Sequence, residues 1–68
     1  MESDRNKLIV KTVLNGFTLA QVGFVFGISG TRVRQITLKT MKKIGFHKVR
    51  IGDLRKHRNR ISTLIKDL

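Results

Sequence analysis

The chain has no cysteine, proline, tryptophan or tyrosine, and only four acidic residues among its 68. Without cysteine there is neither a disulfide staple nor a thiolate metal site. His47 and His57 have no ligand cluster around them, so no metal is expected. Without proline, repeats or low-complexity tracts nothing marks a linker, and the length bounds the chain to a single small domain. The longest strictly apolar runs, Leu8–Val10 and Phe24–Phe26, fall far short of a membrane span. The amino terminus also lacks the basic-then-apolar form of a signal peptide, which points to the cytoplasm of a bacterial cell or, for a viral protein, of its host. Asp53 and Asp67 are too isolated for acid–base work, and Ser29 and Ser62 have no positioned base. An enzyme, a cofactor and a small-molecule substrate are therefore not expected.

What the chain does have is positive charge, and it is unevenly placed. The formal net charge is +11. Residues 16–27 carry no charged side chain, whereas residues 28–51 carry seven basic and no acidic ones. Charge placed only for solubility would be spread more evenly, so a polyanionic partner is the better reading, and nucleic acid leads. A membrane surface is not expected, because the basic carboxy-terminal segment has no tryptophan or phenylalanine to anchor in lipid.

Hydrophobic spacing points to an all-α fold, a small helical bundle of three helices and a fourth at the carboxy terminus. A first helix is expected from about Asp4 to Leu14, with Ile9, Val10, Val13, Leu14 and Phe17 at helical spacing and a stop at Asn15-Gly16. Thr18-Leu-Ala-Gln21 has the form of a capping box, and Phe17 with Val22 that of a hydrophobic staple. Gly27 should end this second helix through a positive φ, and Gly23 should let another helix approach its backbone. Ser29 caps a third helix running to about Ile44 and stopping at Gly45. Residues 46–52 carry no assignable pattern. Asp53 is placed to cap a basic fourth helix over about 53–67, with Leu54, Ile61, Leu64, Ile65 and Leu68 on one face.

Two short helices joined by a glycine turn are the plan of a helix-turn-helix reader of DNA, its core spanning about residues 18–44. With Val33 and Ile36 facing inward, Thr31, Arg34, Gln35 and Leu38 form an outward stripe. Arg34 can donate two bonds to guanine, Gln35 can pair with adenine, and Leu38 can meet a thymine methyl. Arg32, Lys39, Lys42 and Lys43 fall where phosphates would lie, and the start of the second helix at Thr18 offers free amides to another. A basic helix can also be merely a solvated face, but here the charge follows the tight turn and no acidic residue offsets it between Ile28 and Gly52.

The run from Thr18-Leu19 through Val22-Gly23, Phe26, Ile28-Ser29, Arg32-Val33-Arg34-Gln35-Ile36, Lys39, Met41 and Lys43-Ile44 resembles the fourth conserved region of bacterial housekeeping sigma factors. The likeness covers residues 18–44 without a gap. It implies a helix-turn-helix that binds an upstream promoter element, with Thr18 and Arg32 on the DNA backbone and Thr31, Arg34 and Gln35 at or beside the bases. It also implies that Lys39 to Lys43 match a surface where the family meets neighbouring activators. The family has arginine and then glutamate where this chain has Gly30 and Thr31, which argues against the family's usual hexamer as the target. Nothing else a sigma factor needs to melt a promoter is present in these 68 residues.

Phe24 and Val25 lie mid-helix where the sigma pattern is commonly polar. Either residues 45–68 fold back over them, or they are a docking patch for another protein. The resemblance names bacterial RNA polymerase or its sigma factor as that protein, and a homodimer contact also satisfies the geometry. Three functions stay open from the sequence: a DNA-binding transcription regulator, an interaction protein that redirects or inhibits polymerase with little base reading, and the DNA-binding arm of a recombinase or transposase. Met41 reads as core filler, and the two histidines as surface groups.

Overall fold

A computed structural model describes residues 2–46 and 50–67 of the chain. Its elements are α1 (Glu2–Leu14), α2 (Leu19–Phe26), α3 (Gly30–Lys43), a 3-10 helix (Ile51–His57) and α4 (Arg58–Lys66). The fold is all-α, with no strand among the described residues. No helix among them is long and apolar enough to cross a membrane. His47 and Leu68, read above as a surface group and as part of an apolar face, lie outside the described residues.

α1 is shared by two hydrophobic clusters. Ile9 and Val13, four apart, join Val22 of α2 with Val33 and Ile36 of α3. Val10 and Leu14, one position on, join Met41 of α3 with Leu54, Ile61 and Ile65 of the tail. Residues four apart on a helix share a face, and a one-residue offset turns that face by about 100°. The two stripes of α1 therefore look toward two different sets of partners. Met41 is 1% exposed and fills the second cluster, as its sequence context suggested.

The ends of α2 follow local chemistry. Thr18 Oγ1 accepts from the Gln21 amide at 3.1 Å, and the Thr18 amide donates back to Gln21 Oε1 at 2.9 Å. At the other end Gly27 takes φ +70. Gly27 N–H bonds the Phe24 carbonyl and Ile28 N–H the Gly23 carbonyl, the paired bonds of a Schellman turn. Ser29 Oγ then accepts from the Arg32 amide at 3.1 Å and starts α3. A second Schellman turn closes α3 at Gly45, with φ +90, where Phe46 N–H reaches the Met41 carbonyl at 2.8 Å.

Among the glycines, Gly23 has the tightest surroundings. A Cβ there would collide with the Ile28 carbonyl oxygen and come within 3.1 Å of the Ser29 carbonyl carbon. The turn and the start of α3 thus lie directly on the α2 backbone, as the glycine spacing implied. Thr37 and Thr40 are buried on α3, and their hydroxyls donate to the Val33 and Ile36 carbonyls at 2.8 and 2.9 Å. No buried side-chain polar atom among the described residues lacks a partner.

Three expectations are corrected. α1 begins at Glu2 rather than Asp4, although it ends at Leu14 as expected, and Phe17, counted in its apolar series, lies beyond it and is 52% exposed. Asp53 caps nothing. It lies inside the 3-10 helix and pairs with Lys56 at 3.5 Å. The fourth helix over 53–67 is in fact two pieces, because Ile51 and Leu54 are spaced three apart while Ile61 and Ile65 are spaced four apart. The first spacing suits three residues per turn and the second suits 3.6. Both Leu54 and Ile61 are buried, at 1% and 0%, so each piece adopts the winding that turns its apolar residues inward.

Candidate nucleic-acid interface

Burial of Val33 (0%) and Ile36 (6%) sets the rotation of α3. At about 100° per residue, Gln35 and Lys42 fall nearly opposite the core, with Thr31 and Lys39 beside them. Arg34 falls on one flank of that face, and Arg32 and Lys43 on the other. Thr31, Arg32, Arg34, Gln35, Lys39, Lys42 and Lys43 are all exposed. Leu38 departs from the outward stripe read from the spacing, for it is only half-exposed. Its apolar edge is thus less available to a partner than those of its polar neighbours.

The electrostatics of this face are simple. α3 carries Arg32, Arg34, Lys39, Lys42 and Lys43 and no acidic residue. The one ion pair among the described residues, Lys56 with Asp53, is in the tail. The five cations of α3 therefore have no carboxylate partner in the described fold and face solvent together. Such an arrangement repels itself and is relieved by a polyanion.

Thr18 is exposed at the start of α2. Its oxygen already accepts from Gln21, which leaves the hydroxyl proton for an outside acceptor. Among the first-turn amides, those of Thr18, Gln21 and Val22 are engaged by the capping box and by the Thr18 carbonyl.

One basic residue is brought to this end of the molecule from far along the chain. Arg55 Nη2 donates to the Gly16 carbonyl at 3.2 Å across a separation of 39 residues. No local pattern signals that contact. Its only precursor in the sequence is the apolar character of Leu54, whose burial carries Arg55 to the α1–α2 turn.

The apolar spot is open. Phe24 is 89% exposed and Val25 72%. Together with Phe17, Ala20 and Gln21 they line a shallow depression. The described residues of the tail do not fold over them; they pack on α1 and α3 through Leu54, Ile61 and Ile65. His57 is exposed and lies with its ring 5.7 Å from that of Phe46. No group of three or more histidine, cysteine or acidic side chains is poised for a metal among the described residues. Comparison with protein-family models, curated proteins and solved structures gives no significant match to this chain.

Proposed function

We propose that the chain is a helix-turn-helix regulator of transcription that binds double-stranded DNA, with α3 as its reading helix. The observation that carries this reading is the exposed face of α3, where five cations stand without a carboxylate partner while Val33 and Ile36 hold the helix to the core. In this reading Thr31, Arg34 and Gln35 meet base edges, with Leu38 contributing only its exposed side. Thr18, Arg32, Lys39, Lys42 and Lys43 hold phosphates.

The test is a binding titration on duplexes selected from random sequence. Replacing both Arg34 and Gln35 by alanine should flatten the preference among sequences. Replacing Lys42 and Lys43 should weaken all sequences alike and reduce the salt dependence. Four cationic phosphate contacts, from Arg32, Lys39, Lys42 and Lys43, give a log–log salt slope of about −3.6. A slope near zero for the unaltered protein sinks the proposal.

A second reading is favoured by the exposure of Phe24 and Val25, which the described residues of the tail leave uncovered. In it the protein docks on bacterial RNA polymerase or its sigma factor through this patch, and DNA reading is secondary. Pull-down of purified polymerase with the unaltered chain and with Phe24→Asp separates the two. Polymerase retained by the first and lost by the second supports docking, whereas polymerase retained by neither removes it.

A further inference from the structure

From Thr12 to Thr31 the chain carries no charged side chain, so the α1–α2 turn and the whole of α2 own no cation. The tail supplies one. Leu54, 1% exposed, is locked among Val10, Leu14, Met41, Ile61 and Ile65. The next residue, Arg55, lies with its guanidinium against the turn. A Cβ on Gly16, which sits at φ +102, would stand 3.6 Å from Arg55 Cζ.

Thr18 is two residues further on, within about 8 Å along the chain. The bond to the Gly16 carbonyl occupies one N–H of a group that has five, and Arg55 is otherwise exposed. Arg58 and Arg60 follow it, both exposed and with no side-chain hydrogen bond or ion pair among the described residues. The tether holds Arg55 at that turn in advance, so less side-chain freedom is lost when it meets an anion.

We infer that Arg55, with Arg58 and Arg60 behind it, forms a second phosphate-contacting surface for the same duplex, continuous with Thr18. This rests on the duplex-binding reading above and extends the footprint beyond α3. Guanidinium groups hold phosphate through paired N–H donors and carry no base information, so the surface adds affinity and salt dependence without sequence preference.

The test measures affinity for a short fluorescent duplex against salt concentration, for the full chain and its variants. Arg55→Gln should lower the log–log slope by about 0.9, and the double variant Arg58→Gln with Arg60→Gln by up to about twice that. Preference among sequences should be unchanged, and Arg55→Lys should restore most of the lost slope. The double variant removes no side-chain hydrogen bond or ion pair among the described residues, so its melting temperature should stay close to that of the unaltered chain.

Unchanged slopes in all these variants, with Lys42→Gln and Lys43→Gln lowering theirs, overturn the inference and leave duplex binding standing. A fall confined to Arg55→Gln, accompanied by a lower melting temperature and not rescued by lysine, marks Arg55 as a structural tether and also overturns it. A flat slope in the unaltered chain overturns both readings together.

Discussion

The α2–α3 pair and the carboxy-terminal tail each lean on one stripe of α1, yet their ends are held by different physics. In the pair, every junction has a local lock: the Thr18–Gln21 capping box, the left-handed Gly27 and the Ser29 cap. In the tail neither helix start has a side-chain cap, since Arg50 and His57 occupy the cap positions without making such a bond. What holds the tail is Leu54, Ile61 and Ile65, buried against α1 and α3, together with the Arg55–Gly16 bond. Where a proposed reading helix must present its side chains at a fixed angle, the chain uses bonds among near neighbours. Where it closes a core, it relies on burial.

Removing burial from the tail should produce the largest effect. Leu54→Ala should cost about 2–5 kcal/mol, in a domain whose whole stability is roughly 3–10 kcal/mol at this length. Chemical denaturation should show a single cooperative transition displaced to low denaturant. A loss confined to the tail, with α2 and α3 amides still protected from exchange, would show that the two halves fold independently.

Next in size are the two glycines of the α2–α3 turn, which should fail for different reasons. Gly23→Ala drives a methyl into the Ile28 carbonyl and should cost about 1–3 kcal/mol through overpacking. Gly27→Ala meets nothing within 4 Å, so its cost of about 1–2 kcal/mol is that of the left-handed backbone alone. Asparagine, which visits that conformation, should recover part of the loss at position 27 and none at position 23.

The smallest effects sharpen the contrast between caps. Thr18→Ala should cost about 1 kcal/mol by removing a working cap. Asp53→Ala should stay within about 0.5 kcal/mol, because its carboxylate meets only the exposed Lys56. Thermal melts of the two variants side by side measure the difference. Equal losses would mean that Asp53 does more for the tail than its geometry indicates.

Much of the described fold was legible in the residues themselves. The capping box, the glycine turn and the Ser29 cap depend on contacts within about five residues, and short-range chemistry can be read along a chain. The inward placement of Val33 and Ile36 is completed by distant partners, Ile9, Val13 and Val22, but it was legible because their spacing already puts them on one face of the helix. The exposed polar face of α3 follows from the same rotation, with Leu38 the exception. The tail was harder. Asp53 followed by an apolar pattern has the form of a capped helix, but the three-residue spacing of Ile51 and Leu54 makes a 3-10 helix once those side chains turn into a core.

The amino-acid order by itself determined the helices up to Gly45 and the caps of α2 and α3, because each is settled by neighbours a turn away, and it marked the charged face of α3 through the helical spacing of Val33 and Ile36. Only the tertiary structure decided that Phe24 and Val25 remain uncovered, that the tail divides at His57, and that Arg55 rests on Gly16. Those outcomes depend on where buried side chains from distant segments meet, and no short stretch of chain contains both partners.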